Sequence, residues 1–445
     1  MSTIPYPKTH KHARRDEAAA APTRSRRTSP GRHLVTGTGW LLLDLLLLMT
    51  ALPVLLLFLA TAVPRVWSLA LVAVLAGLIF VLFRFERSAL LVTGVIVGAI
   101  ATSVVAVWLS QVYATTPPIT DAQGNVVPGS IATLEQVELN GSRQWVSIRG
   151  HDVDNPVLLF LAGGPGGSQL TTARHALAEL EQHFVVVNWE QPGAGKSYNA
   201  VDRATLTPER YVSDGHALVL YLRERFGVEK VYVLGESWGS ALGIMLVQRY
   251  PELFHAHIGT AQMVDFLETD RVDYEFALEW AKERGDTRKV AQLEAQGPPP
   301  YYGDDVAWQQ VNYLKDTYAY MNQDPNVITN FNTPRDLASP EYGLLDKVNW
   351  VRGPLTTLGV VYQQLWNVDF RTQAPHLEVP VYFLIGRHDA NVPAYLIEEY
   401  YALLDAPHKE LIWFEHSGHS PWISETDKFV DVVVERVLAQ TEDVR

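Results

Sequence analysis

Three nearly unbroken apolar stretches, 40–63, 66–83 and 89–110, occupy the first part of the chain and limit what it can become. Peptide groups in hydrocarbon have no water to bond, so single segments of this kind must satisfy their backbone internally, as helices. Each is about long enough to cross a hydrocarbon core of roughly 30 Å. Apolar residues make up 47% of the chain and charged residues 19%, and the apolar excess is concentrated in these stretches. A cleaved signal peptide would account for the first stretch alone, yet that stretch lies behind about forty mostly polar residues and two more follow it.

Charge sets the expected orientation. Lys8, Lys11, Arg14, Arg15, Arg24, Arg26, Arg27 and Arg32 precede the first stretch, and Arg84 and Arg87 fall between the second and third. Only Arg65 lies between the first and second. Basic loops stay in the cytoplasm, so the N-terminus is expected inside and everything after residue 110 outside. Asp44 and Pro53 interrupt the first stretch. Asp44 is close enough to its start to reach the interface, and Pro53 reads as a tolerated kink.

Residues 1–109 carry 11 Lys and Arg against 4 Asp and Glu, leaving 25 against 45 for the rest. An acidic remainder argues against a nucleic-acid partner and slightly favours cationic ligands. Cysteine is absent, which excludes disulfides and thiolate chemistry.

The expected order is a basic disordered tail (1–35), a membrane domain of three transmembrane helices (36–110) and a stalk (111–130). A two-part core (131–264 and 376–445) follows, interrupted by a helical cap (265–375). Asn140-Gly141 between apolar runs at 131–139 and 145–149 signals a hairpin. Strand-like runs at 157–161, 184–189 and 231–234 then alternate with helical patterns, which argues for a mostly parallel sheet with helices on both faces.

Leu234-Gly235-Glu236-Ser237-Trp238-Gly239-Ser240 follows the last of these runs. A strand leading into G-x-S-x-G reads as a nucleophile elbow, a turn so tight that only small residues fit two positions either side of the serine. Asp389 and His419 follow later strand-like runs in the order Ser, Asp, His. Ser237 is the expected nucleophile, His419 its base and Asp389 the orienting acid. His416 is the rival base, Asp265 the alternative acid, and His388 a structural or rim histidine. The backbone amides of Trp238 and of Gly164, in the loop Ala162-Gly163-Gly164-Pro165-Gly166-Gly167, are the candidate oxyanion donors. Gly193-Ala194-Gly195-Lys196-Ser197 ends like a phosphate loop but lacks its first glycine, so no nucleotide, cofactor or metal is expected.

Gly163-Gly164-Pro165-Gly166, the run Glu190-Gln191-Pro192 through Ser197, and Gly235 through Ser240 resemble the motifs of proline iminopeptidases, peptidase family S33. The resemblance covers about 145–265 and 375–440. It implies an α/β-hydrolase fold with a helical cap and release of an N-terminal residue, commonly proline, with cap carboxylates holding the free amine. The sequence departs from the family at Ala162, where histidine is usual, at Glu190, where aspartate is usual, and at Glu236, often glycine. Glu236, Glu268 and Glu275 are the candidate substrate-binding residues, the latter two from the acidic run Glu268, Asp270, Asp273, Glu275, Glu279. The expected function is a membrane-anchored serine aminopeptidase acting on short peptides, its other partner the lipid bilayer. Alternatives are a carboxylic-ester or lipid hydrolase, and a non-catalytic binding or sensing protein on a hydrolase scaffold. Ser237 in place of an aspartate disfavours epoxide hydrolase and dehalogenase chemistry.

Overall fold

The computed structural model describes residues 30–86, 88–329 and 331–442, with 30–38 and 442 described by backbone alone. The basic residues of segment 1–29, and Arg87, lie outside the described residues. The chain divides into two compact units, 1–49 and 50–445. Within the first, residues 30–49 are helical and Asp44 is exposed. The helix that includes them, Pro30–Ala60, starts earlier than the tail boundary expected at residue 35, because Leu34, Val35 and Thr36 offer no break before the apolar run.

In the second unit this helix continues through Pro53 to Ala60, and the helices Arg65–Arg84 and Ala89–Val112 follow. Gly39–Ala60, Arg65–Arg84 and Ala89–Val112 are each long and apolar enough to cross a membrane. Their outward side chains are large and apolar, Leu59, Phe83 and Leu90 among them. Ser88 caps the third, its Oγ accepting from the amide of Leu91.

Segment 111–130 makes specific contacts with the rest of the chain. The amide of Thr115 donates to the carbonyl of Pro340, and Arg149 donates to Thr116 Oγ1 and the Pro117 carbonyl. Arg149 is buried and needs several acceptors, and this segment supplies two of them.

Among the described residues, eight strands form one sheet: β1 (Ile131–Leu139), β2 (Ser142–Gly150), β3 (Val157–Leu161), β4 (Val185–Trp189), β5 (Val231–Glu236), β6 (Phe254–Thr260), β7 (Val381–Gly386) and β8 (Lys409–Phe414). Their spatial order is β1-β2-β4-β3-β5-β6-β7-β8. The β1–β2 and β2–β4 pairs are antiparallel and all others parallel. Asn140 and Gly141 both take positive φ, 46° and 79°, as a two-residue hairpin turn with the twist of its strands requires.

β3, β4, β5 and β7 are buried along their whole length, so they read as continuous apolar runs rather than alternating ones. Alternation decides which core each residue enters. Val157, Leu159, Val231 and Val233 pack on one face of the sheet, Leu158, Phe160, Tyr232 and Leu234 on the other. Helix Pro208–Phe226 shows how the covering helices are bounded: Thr207 caps its start, proline opens it, and Gly227 ends it at φ 65°. Between β6 and β7, which pair directly in the sheet, the chain leaves to build a cap of helices, principally Phe266–Glu283, Thr287–Gln296, Val306–Met321 and Leu344–Val361.

Candidate active site

The elbow between β5 and helix Trp238–Arg249 puts Ser237 at φ 54°, ψ −121°, a conformation that side-chain-bearing residues rarely hold. Crowding makes it possible only with glycine on either side. A Cβ on Gly235 would lie 2.2 Å from the Gly239 carbonyl oxygen, and one on Gly239 2.0 Å from that of Leu161. The Ser237 amide donates to the Thr260 carbonyl, 3.0 Å, tying the turn to β6.

His419 Nδ1 lies 3.0 Å from Asp389 Oδ2, and both side chains are buried. The amides of Asn391 and Val392 donate to Asp389 Oδ1 at 2.8 and 3.1 Å, which fixes the carboxylate before the imidazole meets it. Burial alone would lower the His419 pKa. The charge and hydrogen bond of Asp389, with the more distant charge of Glu236, outweigh it, and the net displacement is above 6.5.

Ser237 and His419 line a cavity of about 460 Å³ with Trp238, Gly163 and Gly164 on the core side. The cap contributes Asp270, Asp273, Leu314, Tyr318, Trp350 and Leu358 among others. Trp238 opens its helix, where the first amides have no partner within the helix. In the glycine loop the Gly163 amide donates to Gln169 Oε1, 3.0 Å, while Gly164 holds φ 135° against the cavity. Gln191 joins the two halves of this region, accepting from Trp238 Nε1 and donating to the Ala162 carbonyl.

The family profile described as alpha/beta hydrolase fold matches residues 156–426. The chain belongs to the α/β-hydrolase family. The hydrolase is 30% identical over 308 residues to the probable aminopeptidase YbaC of Bacillus subtilis, covering 68% of this chain and 96% of that one. It is 24% identical to the proline iminopeptidase of Heyndrickxia coagulans, covering 67% and 96%. The crystal structure of proline iminopeptidase from Mycobacterium smegmatis superposes with a TM-score of 0.52 at 19% identity, over 70% of this chain and all of that one, and so shares its fold.

The other sequence-derived residues divide by helical phase. Along Phe266–Glu283, the side chains of Phe266, Thr269, Asp270 and Asp273 turn inward, whereas Glu275 and Glu279 are exposed. Glu268 lies outside the cavity, held by Arg371 at 2.7 Å and by the Tyr395 hydroxyl at 2.9 Å. Glu268 and Glu275 are therefore misplaced as substrate ligands; the same run brings Asp270 and Asp273 to the cavity instead. Glu236 does line it, but its carboxylate is consumed by the protein. Oε1 accepts from Ser420 Oγ and Trp422 Nε1, at 2.5 and 2.8 Å, and Oε2 accepts from Gln169. It braces the elbow against the glycine loop rather than offering an oxygen to a ligand.

His416 is exposed, and Asp265 caps the first cap helix while pairing with Arg371, so neither lines the cavity. His388 pairs with Asp324, 3.0 Å away, on the outer side of the acid loop. Lys196 of the phosphate-loop-like run is buried against Asp346 at 2.8 Å, a structural ion pair. Gln169, Asn391 and Tyr318 were missed by sequence reading, since each acts through contacts distant along the chain.

Asp270 and Asp273 differ sharply. Asp270 accepts from Gln310, Tyr313 and Tyr362, and burial against these bonds lifts its pKa to about 6. Neither carboxylate oxygen of Asp273 has a hydrogen-bond partner among the described residues, although the residue is 1% exposed. Burial, reinforced by the charges of Asp270 and Asp389, pushes its pKa well above the usual carboxylate range.

Proposed function

We propose that this hydrolase is a membrane-anchored serine aminopeptidase that removes N-terminal residues from short peptides. The observation that carries the reading is Asp273, a buried carboxylate with no hydrogen-bond partner among the described residues, which lines the same cavity as Ser237 and His419. An unpaired buried carboxylate is strongly disfavoured, and a ligand bringing a cation relieves that cost. A peptide's α-ammonium is such a cation. The names of the aligned relatives, an aminopeptidase and proline iminopeptidases, support the same class.

In this reading Ser237 Oγ attacks the carbonyl carbon of the first peptide bond while His419 takes the hydroxyl proton. Trp238 and Gly164 amides receive the developing oxyanion. His419 then gives its proton to the departing peptide nitrogen, the C–N bond breaks, and an acyl-enzyme on Ser237 remains. Water, deprotonated by His419, attacks the acyl carbon and frees Ser237, which takes the proton back. Asp389 keeps Nδ1 of His419 protonated throughout.

His419 accepts a proton only when neutral, and its pKa lies above 6.5, so activity is present at higher pH and is lost as pH falls through that raised value. The pH profile of kcat/KM should show this acid limb, shifted to lower pH in Asp389→Asn, where burial acts unopposed by the neighbouring charge. An unshifted limb would remove His419 from the role. The function itself is tested by comparing aminoacyl amides with their N-acetyl forms and with simple acyl esters. Better turnover of esters or N-blocked amides would favour the ester-hydrolase alternative.

The basic residues of the N-terminal segment orient it toward the cytoplasm and the catalytic domain away from it. Protease added to intact spheroplasts should then digest the chain beyond Val112. Protection until lysis would reverse the orientation.

A further inference from the structure

Helix Leu344–Val361 carries three distinct faces. Asp346, Asn349, Gly353 and Thr357 are buried in the hydrolase. Trp350, Pro354 and Leu358 line the catalytic cavity. Leu345, Val348 and Val351, three residues apart and therefore along one side, are 51%, 52% and 51% exposed. A soluble enzyme would carry polar residues on such a stripe.

The N-terminus of this helix is fastened to the end of the third membrane-crossing helix. The Leu344 amide donates to Ser110 Oγ, 2.9 Å, and Gln111 Nε2 donates to Asp346 Oδ1, also 2.9 Å. Gly343 sits so close that a Cβ there would lie 2.9 Å from the Ser110 carbonyl oxygen. Leu345 therefore stands between two residues bonded to the last turn of Ala89–Val112. At the same end Trp67 Nε1 donates to the Tyr113 hydroxyl, 3.1 Å, and aromatic side chains with polar tips settle at the membrane–water boundary. Arg352, four residues after Val348 and seven after Leu345, shares this side of the helix, and a long basic side chain there can reach lipid headgroups. Arg352 is exposed, and it and Arg203 both pack on the Tyr198 ring, at 4.6 and 4.8 Å.

From this placement we infer that helix Leu344–Val361 lies in the headgroup boundary of the membrane its own chain crosses, with Leu345, Val348 and Val351 immersed in lipid. The outer surface of one cavity wall is then the bilayer. The inference rests on the three apolar helices crossing a membrane, and not on the chemistry assigned to Ser237. A second copy of the chain is a poorer occupant, because three half-exposed side chains offer far less than the roughly 800 Å² per partner of a stable interface.

The chain contains no cysteine, so Leu345→Cys, Val348→Cys and Val351→Cys each introduce one thiol for an environment-sensitive nitrobenzoxadiazole label. Leu403→Cys, at an exposed position on Ala394–Leu403 outside the stripe, is the control. The full chain is placed in phosphatidylcholine nanodiscs holding one copy each, and near-ultraviolet circular dichroism checks that every variant folds as the parent does. Labels at 345, 348 and 351 should shift to the blue and lose at least about half their emission to a shallow nitroxide lipid, consistent with burial of roughly 5–10 Å. The label at 403 should respond only to aqueous iodide. Iodide quenching at 348 and 351 equal to that at 403, or protection that needs two copies per disc, would overturn the inference.

Discussion

Replacing Ser237 with alanine should abolish turnover and covalent labelling by a fluorophosphonate while leaving the fold unchanged. Alanine at φ 54° carries the same backbone strain as serine, and the glycines that make room for the turn remain, so no packing change accompanies the loss of one oxygen. In a nucleophile–base–acid system the members act as a unit, and loss of the nucleophile costs on the order of 10⁶ in kcat. His419→Ala should fall comparably. His416→Ala should retain activity, since that side chain is exposed and outside the cavity. The measurement is single-turnover hydrolysis beside a melting curve. Residual turnover within about tenfold of the parent in Ser237→Ala would remove the serine-hydrolase assignment.

Asp273→Asn separates recognition from chemistry. If Asp273 receives the α-ammonium, its loss should cost about 2–3 kcal/mol, roughly 30- to 150-fold in kcat/KM, for free-amine substrates and nothing for N-acetyl ones. The loss should fall mainly on KM, because the amine is held alike in the ground and transition states. Stability should move the other way. The folded-state pKa of Asp273 is raised, so its ionisation destabilises the fold progressively as pH rises from 3.8 toward the raised value. The asparagine variant lacks that penalty and should be at least as stable as the parent at pH 7. A fall in both stability and activity on every substrate would make Asp273 a structural residue.

Much of this site was legible along the chain because its parts are local. The elbow needs only a strand, two glycines and a serine within a few residues, and Asn140-Gly141 needs only its own φ angles. The cap shows where local reading stops. Charge density drew attention to Glu268 and Glu275, yet the helix places Phe266, Asp270, Asp273 and Ala277 on one inward side. Two acids at positions where that spacing calls for apolar residues were the available signal. No such signal exists for Gln169 or Asn391. Gln169 reaches Glu236 across 67 residues, and Asn391 approaches His419 from a loop 28 residues away. The contacts of segment 111–130 were hidden for a related reason: its prolines and glycines describe a loop, and only the folded chain reveals that buried Arg149 uses it as an acceptor.

An anchor that merely tethers an enzyme can be exchanged for any other hydrophobic helix. The third helix of this chain is not interchangeable in that sense. Its last turn supplies Ser110 and Gln111 to the start of a cap helix, and glycine at 343 leaves room for that approach. A fragment cut after Val112 would strip Leu344 and Asp346 of these partners, beside the buried Lys196 that Asp346 neutralises. A chimera on a foreign span would have to carry the Ser-Gln pair at the same helical height. The third apolar helix and the cap share a joint, and that helix belongs to the parts list of the hydrolase fold it precedes.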